Sequence, residues 1–152
     1  MTLAEQAALI EGEPFGVLAT VGASGHPHLA TIGFAFDGLG KVVMTSFRAA
    51  QKVANARRNP VASLLVERTS LDGETRGILL RGEVEIVADP AGVARCYRAV
   101  NDRSGGLIRS TDLPDVDEHA PIAKRVALVL SIQHRSSWDH RRLGGTYCAP
   151  TT

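Results

Sequence analysis

Three β-rich segments follow one another at short spacing between residues 15 and 46, and they limit the fold more than any other feature of the sequence. Residues 15–21 and 28–36 carry many β-branched and aromatic side chains, and the cluster Ala-Ser-Gly-His-Pro between them is typical of a turn. A second turn, Asp-Gly-Leu-Gly at residues 37–40, leads into the third segment at 41–46. Strands joined by such short turns pair in antiparallel orientation, so the sequence predicts a β-meander or a barrel.

Three more strands are predicted further along the chain, at residues 61–66, 77–87 and 124–133. Helices are predicted at residues 2–12, at residues 49–58, and from Pro90 to just before Gly105. Residues 104–121 are predicted to form a surface loop that can hold a short helix, and residues 135–152 show little periodicity. Because strands and helices do not alternate regularly, a doubly wound parallel sheet is disfavoured. The prediction is a mainly β (α+β) fold, a six-stranded antiparallel barrel with a few peripheral helices.

The size and charge of the chain exclude several classes of protein. At 152 residues, with 44% hydrophobic and 22% charged side chains, the chain fits one globular domain over residues 1–152. Its formal net charge of +1 is too small for nucleic acid binding through bulk charge, so any basic site has to be local. The longest apolar run, residues 126–132, is far shorter than the ~20 residues that span a bilayer. The two cysteines, Cys96 and Cys148, form no CxxC pair, and we expect a cytoplasmic location without membrane or nucleic acid partners.

The strongest local signal is the sequence MTSFRAAQKVANARRNP at residues 44–60. The hydroxyl groups of Thr45 and Ser46 end an apolar strand, and Arg48 and Lys52 follow at a spacing of four residues. A helix N-terminus offers unpaired N–H groups and about half a unit of positive charge, so this junction favours an anion such as phosphate. The same spacing also fits an ordinary amphipathic surface helix, and the residues alone leave both interpretations open.

Other polar clusters carry weaker signals. His26 and His28 flank a proline, but no third ligand follows at a metal-site spacing, so we interpret them as turn residues. No Gly-x-Ser-x-Gly motif marks a nucleophile, and we predict neither hydrolysis nor a metal site. The tail at residues 134–142 contains the single tryptophan, Trp138, together with two histidines and three arginines. This tail can stack on an aromatic ligand or bridge a dimer interface, and the sequence does not separate the two.

Three quoted segments together resemble one known family. VVMTSFRAAQKVANARRNPVASLLVE is a strand, a basic loop and a helix that ends in Asn-Pro before the next strand. ILLRGEVEIV is similar to a later barrel strand of that family, and FGVLATVGASGHPHLATIGFAFDG is similar to its first hairpin, where a Gly-x-Pro turn is common. The family is the pyridoxamine 5'-phosphate oxidase-like group of flavin and deazaflavin oxidoreductases. The resemblance covers about residues 10–135 and leaves residues 136–152 as a C-terminal tail.

The resemblance implies a six-stranded split β-barrel that forms a homodimer, with two cofactors at the dimer interface. It also implies hydride transfer between FMN or coenzyme F420 and a small conjugated substrate, and in such reactions the cofactor carries the chemistry. Lys52 matches the family's phosphate-binding lysine, and Thr45 and Ser46 match the end of the strand that lines the cofactor. No catalytic side chain is assigned. The candidate cofactor-binding residues are Thr31, Thr45, Ser46, Arg48, Gln51, Lys52 and Trp138.

Three departures separate the chain from true pyridoxamine phosphate oxidases. Ala50-Gln51 stands where oxidase-type members have Ser-Arg, and Phe34 stands where a lysine is common late in the second strand. The arginine-rich C-terminal substrate motif of that enzyme is also missing. These departures keep a second class of function open, a cofactor-binding or storage protein, or a dimeric scaffold, without turnover. An RNA-binding barrel is disfavoured, because aromatic residues make up only 5% of the chain.

Overall fold

A computed structural model of the protein describes residues 1–70, 75–105 and 120–143. The strands are β1 (Phe15–Val21), β2 (Pro27–Phe36), β3 (Val42–Phe47), β4 (Val61–Thr69), β5 (Thr75–Val87) and β6 (Arg125–Asp139). The helices are α1 (Leu3–Gly12), α2 (Gln51–Arg58), α3 (Pro90–Arg103) and α4 (Ala120–Ala123), and a short 3₁₀ helix follows β6 at His140–Leu143. No helix in this part of the chain is long and apolar enough to cross a membrane.

The six strands close into one barrel in the order β1-β2-β3-β6-β5-β4, and all neighbours are antiparallel. β1, β2 and β3 form a meander, and β4, β5 and β6 form the other half of the barrel, in which α3 and α4 separate β5 from β6 along the chain. Two seams join these halves, because β1 pairs with β4 and β3 pairs with β6. The predicted fold, a mainly β, six-stranded antiparallel barrel with peripheral helices, is confirmed.

Apolar side chains that alternate along the strands fill the barrel interior, as a sheet with one buried face requires. Each strand contributes at least one fully buried side chain, as shown by Leu18, Phe34, Met44, Leu64, Leu80 and Leu128. Leu9 of α1 and Val53 of α2 belong to the same core. α3 packs instead on the outer surface of the barrel, where Val100 meets Val43 and Val129. α3 therefore covers part of the outer face of β3 and β6, and the core of the barrel covers their inner face.

Local signals in the sequence set where two of the helices begin. The Thr2 hydroxyl accepts a hydrogen bond from the Glu5 N–H, and the Glu5 carboxylate accepts one from the Thr2 N–H. This reciprocal pair is the capping box that the sequence predicts for α1. α3 begins at Pro90 as predicted, with the Asp89 carboxylate accepting from the Gly92 N–H at 2.7 Å.

β2 and β3 separate partway along their length. In this fully described stretch three residue pairs join them: Phe34 with Met44, Ala35 with Val43, and Phe36 with Val42. Beyond the first of these pairs, β2 continues alongside β1, and β3 continues alongside β6. The barrel is therefore split between residues 27–33 of β2 and residues 45–47 of β3, and α2 follows shortly after the end of β3.

The C-terminal part of the chain departs from the sequence prediction. The last strand is predicted to end at Gln133, but β6 continues to Asp139 and so includes the first residues of the segment that shows little periodicity. Its last part pairs with β5 beyond a β-bulge opposite Arg81 and Gly82. In the predicted loop, α4 begins at Ala120. The rest of that loop, residues 106–119, lies outside the described residues, as does most of the remaining tail.

Candidate functional site

The candidate anion site lies where β3 ends and α2 begins. Residues 48–50 form a turn, so α2 starts at Gln51, two residues later than the sequence predicts. Ala50 is the N-cap and makes no side-chain hydrogen bond to the helix. The N–H groups of Gln51 and Lys52 meet no acceptor in the described part of the chain. These N–H groups and the helix dipole can therefore receive an anion.

The two hydroxyl residues at the end of β3 face opposite sides of the strand. Ser46 is 5% exposed and lies on the inward face with Met44, whereas Thr45 lies on the outer face with Val43. Thr31 is exposed on the outer face of β2, on the other side of the split. The structure therefore places Thr31 and Thr45 on the outer surface beside the split and turns Ser46 toward the core.

Four cationic side chains belong to this junction: Arg48, Lys52, Lys124 and Arg125. The Arg48 N–H donates to the Lys124 carbonyl at 2.8 Å, and Phe47 pairs with Arg125 across β3 and β6. Among the described residues, none of the four cations forms an ion pair with a carboxylate. Their positive charge is therefore open to neutralisation by a bound anion.

Arg125 is the candidate that sequence reasoning missed. Its guanidinium carbon lies 4.4 Å from the centroid of the Phe47 ring and 5.3 Å from that of the Tyr97 ring. Its Nε–H is buried and has no hydrogen-bond partner within the described ranges. A buried donor without a partner costs free energy, so a ligand oxygen at this position would be stabilising. The sequence carries no signal for this residue, because strand pairing alone brings it beside the end of β3.

A buried amide holds α2 against the barrel. Asn55 is fully buried, and its Nδ2 donates to Thr20 Oγ1 at 3.1 Å. Its Oδ1 accepts from Gln51 Nε2 at 2.9 Å and from an Arg58 guanidinium nitrogen at 3.3 Å. Gln51 thus uses its side-chain amide within the helix, and its backbone N–H remains at the site. Val53 packs into the core, so α2 is an amphipathic helix. In addition, no side chain caps its N-terminal end.

Trp138 lies elsewhere in the same chain. It pairs with Gly77 of β5, and its ring covers that glycine so closely that an added Cβ would lie 2.3 Å from the ring. Arg125 is at the opposite end of β6, roughly 40 Å away along an extended strand. One protomer therefore does not bring Trp138 and Lys52 into one site.

The family of the protein follows from a match along nearly all of the chain. Residues 2–139 match the family model described as pyridoxamine 5'-phosphate oxidase. The chain belongs to the pyridoxamine 5'-phosphate oxidase family. The resemblance found in the sequence is thereby confirmed, and the basic junction between β3 and α2 lies within the part that matches the pyridoxamine 5'-phosphate oxidase family.

Two solved structures are similar to this chain, each with about one-third of the aligned residues identical. The conserved hypothetical protein Rv2991 from Mycobacterium tuberculosis is 32% identical with a TM-score of 0.75, and the match covers 100% of this chain and 93% of that chain. A protein described as an F420 reductase is 33% identical with a TM-score of 0.65, and the match covers 85% of this chain and 94% of that chain.

A more distant structure shows the fold alone. An FAD-binding protein from Mesorhizobium loti is 17% identical with a TM-score of 0.68, and the match covers 90% of this chain and 94% of that chain. No curated protein matches the chain. The comparisons therefore identify a split-barrel family related to flavin and deazaflavin oxidoreductases and leave the reaction of this protein to be proposed.

Proposed function

We propose that the protein is an oxidoreductase that binds coenzyme F420, with FMN as the alternative cofactor, by its phosphate group at the junction of β3 and α2. The cofactor would supply hydride transfer to or from a small conjugated substrate. Arg48, Lys52 and Arg125 would hold the phosphate by charge, and the free N–H groups at the start of α2 would donate hydrogen bonds to it. Thr31 and Thr45 would line the surface along which the rest of the cofactor lies.

One observation carries this proposal: unsatisfied donors and unpaired cations occur together at a helix end. Helices that merely cover a surface begin by preference with Ser, Thr, Asp or Asn, whose oxygen accepts from the first N–H groups. Here the N-cap is Ala50, which has no such oxygen. The buried Nε–H of Arg125 also lacks a partner among the described residues. A phosphate at the start of α2 would satisfy the first deficit, and we propose Arg125 as a further contact because it pairs with Phe47 at the end of β3.

One comparison favours coenzyme F420 over FMN, and one buried residue separates the chain from the oxidases. The F420 reductase is 33% identical to this chain over 85% of its length. Phe34, which stands where oxidase-type members often have a lysine, is fully buried in the barrel core. A side chain there packs against other apolar residues and offers no polar contact to a flavin. The chain thus departs from the oxidase pattern, and the fold and the basic junction are retained.

The proposal is tested by titrating the purified protein with coenzyme F420 and with FMN, using absorbance and fluorescence to measure each dissociation constant. We expect Lys52→Ala to weaken binding about tenfold, which corresponds to about 1.4 kcal/mol. Arg57→Ala is the matched control, because Arg57 is exposed in the last turn of the same helix. An unchanged dissociation constant in the Lys52 variant, or an equal loss in the Arg57 variant, would refute the phosphate site.

A storage protein or scaffold of the same fold remains the competing function. It would bind a cofactor, or none, without turnover. Stopped-flow absorbance of the bound cofactor, recorded with hydride donors and with conjugated acceptors, separates the two functions. Repeated reduction and reoxidation supports an oxidoreductase, whereas tight binding without any change in the cofactor spectrum supports storage.

We also propose that the protein acts as a homodimer. Leu29, Phe47 and Val61 are 63%, 57% and 52% exposed and offer apolar surface that a partner can cover. A second copy would cover such side chains and would bring its own Trp138 toward the cofactor. Mass measurement by light scattering, with and without cofactor, tests this. A monomer that binds the cofactor tightly would contradict the proposal.

A further inference from the structure

A second basic site lies at the other end of β6, away from the junction of β3 and α2. Arg68 of β4, Arg76 of β5 and Arg141 of the 3₁₀ helix line a pocket of about 60 Å³ together with Ser70. We refer to these four residues as the arginine pocket. Three guanidinium groups from three separate elements converge there, although like charges repel one another.

Two of the three arginines are fixed by carboxylates. Arg68 Nε donates to Glu13, and one of its terminal nitrogens donates to the Gly12 carbonyl at 3.1 Å. Arg141 makes a two-bond fork to Asp139, with donor–acceptor distances of 2.8 and 2.5 Å. The hydrogen bonds from Arg141 lower the pKa of the Asp139 carboxyl to about 2, so this fork is intact at neutral pH. These two guanidinium groups are therefore held in place before any ligand binds.

Arg76 is the third member, and no carboxylate among the described residues pairs with it. It is half-buried, and its register partners are Arg68 on β4 and Asp139 on β6. Arg76 forms no hydrogen bond or ion pair with any residue that the structure describes. The neighbouring Arg142 pairs with Glu5 and also lies 3.9 Å from Asp139, so Asp139 is shared between Arg141 and Arg142. Among the described residues, Arg76 is therefore the guanidinium of the pocket that is available to an anion.

We propose that the arginine pocket binds a small oxyanion, either inorganic phosphate or the carboxylate group of a small organic acid. Planar guanidinium groups match the oxygen geometry of both anions, and a preorganised pair with a third free donor needs little reorganisation on binding. The Ser70 hydroxyl adds a neutral polar group to the lining. The arginine pocket shares no residue with the β3–α2 junction, so variants at Arg76 and at Lys52 test the two sites separately.

The test follows the Nε–H resonances of the arginines in ¹H–¹⁵N spectra during titration with phosphate and, separately, with acetate and malonate at constant ionic strength. The Arg76 resonance is assigned by its loss in Arg76→Gln and, should that variant not fold, in Arg76→Lys. Arg81→Gln is the matched control, because Arg81 is exposed on the same strand and does not line the pocket. We expect a saturating shift of the Arg76 resonance and about tenfold weaker binding in Arg76→Gln, with wild-type affinity in Arg81→Gln.

The anion series identifies the source of the oxyanion, since saturation by phosphate alone indicates phosphate and saturation by the organic acids indicates a carboxylate ligand. The proposal is overturned if none of the three anions shifts the Arg76 resonance. It is also overturned if the Arg76 and Arg81 variants lose affinity equally. Lys52→Ala separates this site from the cofactor site, because phosphate that binds at α2 would lose affinity in that variant and keep it in Arg76→Gln.

Discussion

Replacing Asn55 by alanine is the sharpest test of how α2 is held. The Asn55 side chain is fully buried and takes part in three hydrogen bonds, with Thr20, Gln51 and Arg58. At about 1 kcal/mol for each bond, the variant should lose about 3 kcal/mol of unfolding free energy. The Thr20 hydroxyl, which is 1% exposed, would also be left without its donor.

Urea denaturation measures this loss, and the slope of unfolding free energy against urea should stay constant, because the same surface is exposed on unfolding. Arg57→Ala, on the exposed side of the same helix, should change stability by less than about 0.5 kcal/mol. Pairing Asn55→Ala with Thr20→Val in a double-mutant cycle should show a coupling of about 1 kcal/mol for the bond between them. A loss in Asn55→Ala no larger than in Arg57→Ala would refute the conclusion that this amide anchors α2.

Two further changes test other parts of the fold. Hydrogen bonding from Arg141 lowers the pKa of the Asp139 carboxyl from 3.8 to about 2. The ionised carboxylate therefore stabilises the fold fully at pH values above 3.8, and this stabilisation is lost as the pH falls toward 2. Asp139→Asn should therefore flatten the decline of Tm over that acid range, as thermal scans at stepped pH would show. Gly82→Ala should lose more than about 2 kcal/mol in urea denaturation, because its Cβ would lie 1.9 Å from the Ser131 carbonyl oxygen. Gly38→Ala, where a Cβ meets nothing within 4 Å, is its control and should match the wild type.

Strand prediction from sequence succeeded where one face of a strand is buried. In β5, Glu83 and Glu85 are exposed and Val84 is buried, as the alternation of residue types predicts. The prediction failed at the end of β6, where four successive residues, 133–136, are all exposed. A strand that has no buried face shows no period of two in its residue types, so its pairing with β5 leaves no trace in the sequence.

The candidate site was predictable to the extent that it is local. Lys52 lies a few residues after β3, so the strand, turn and helix signals place it without knowledge of the fold. The directions of Thr45 and Ser46 could not be predicted, because the preceding residues of β3 are apolar on both faces of the strand. Arg125 could not be found at all, since its position beside Phe47 depends on the pairing of two strands that are distant in sequence.

The connections between the strands of the barrel have a consequence for folding kinetics. β1, β2 and β3 are joined by short turns, so this meander can form early at low entropic cost, whereas α3 and α4 separate β5 from β6 along the chain. The seams pair residues far apart along the chain, such as Val17 with Leu65 and Phe47 with Arg125, and must close later. The second seam is also what places Arg125 opposite Phe47, at the end of β3 that leads to α2. An anion bound at this junction would therefore bind to the closed barrel and not to the separate halves, which would slow the reopening of that seam.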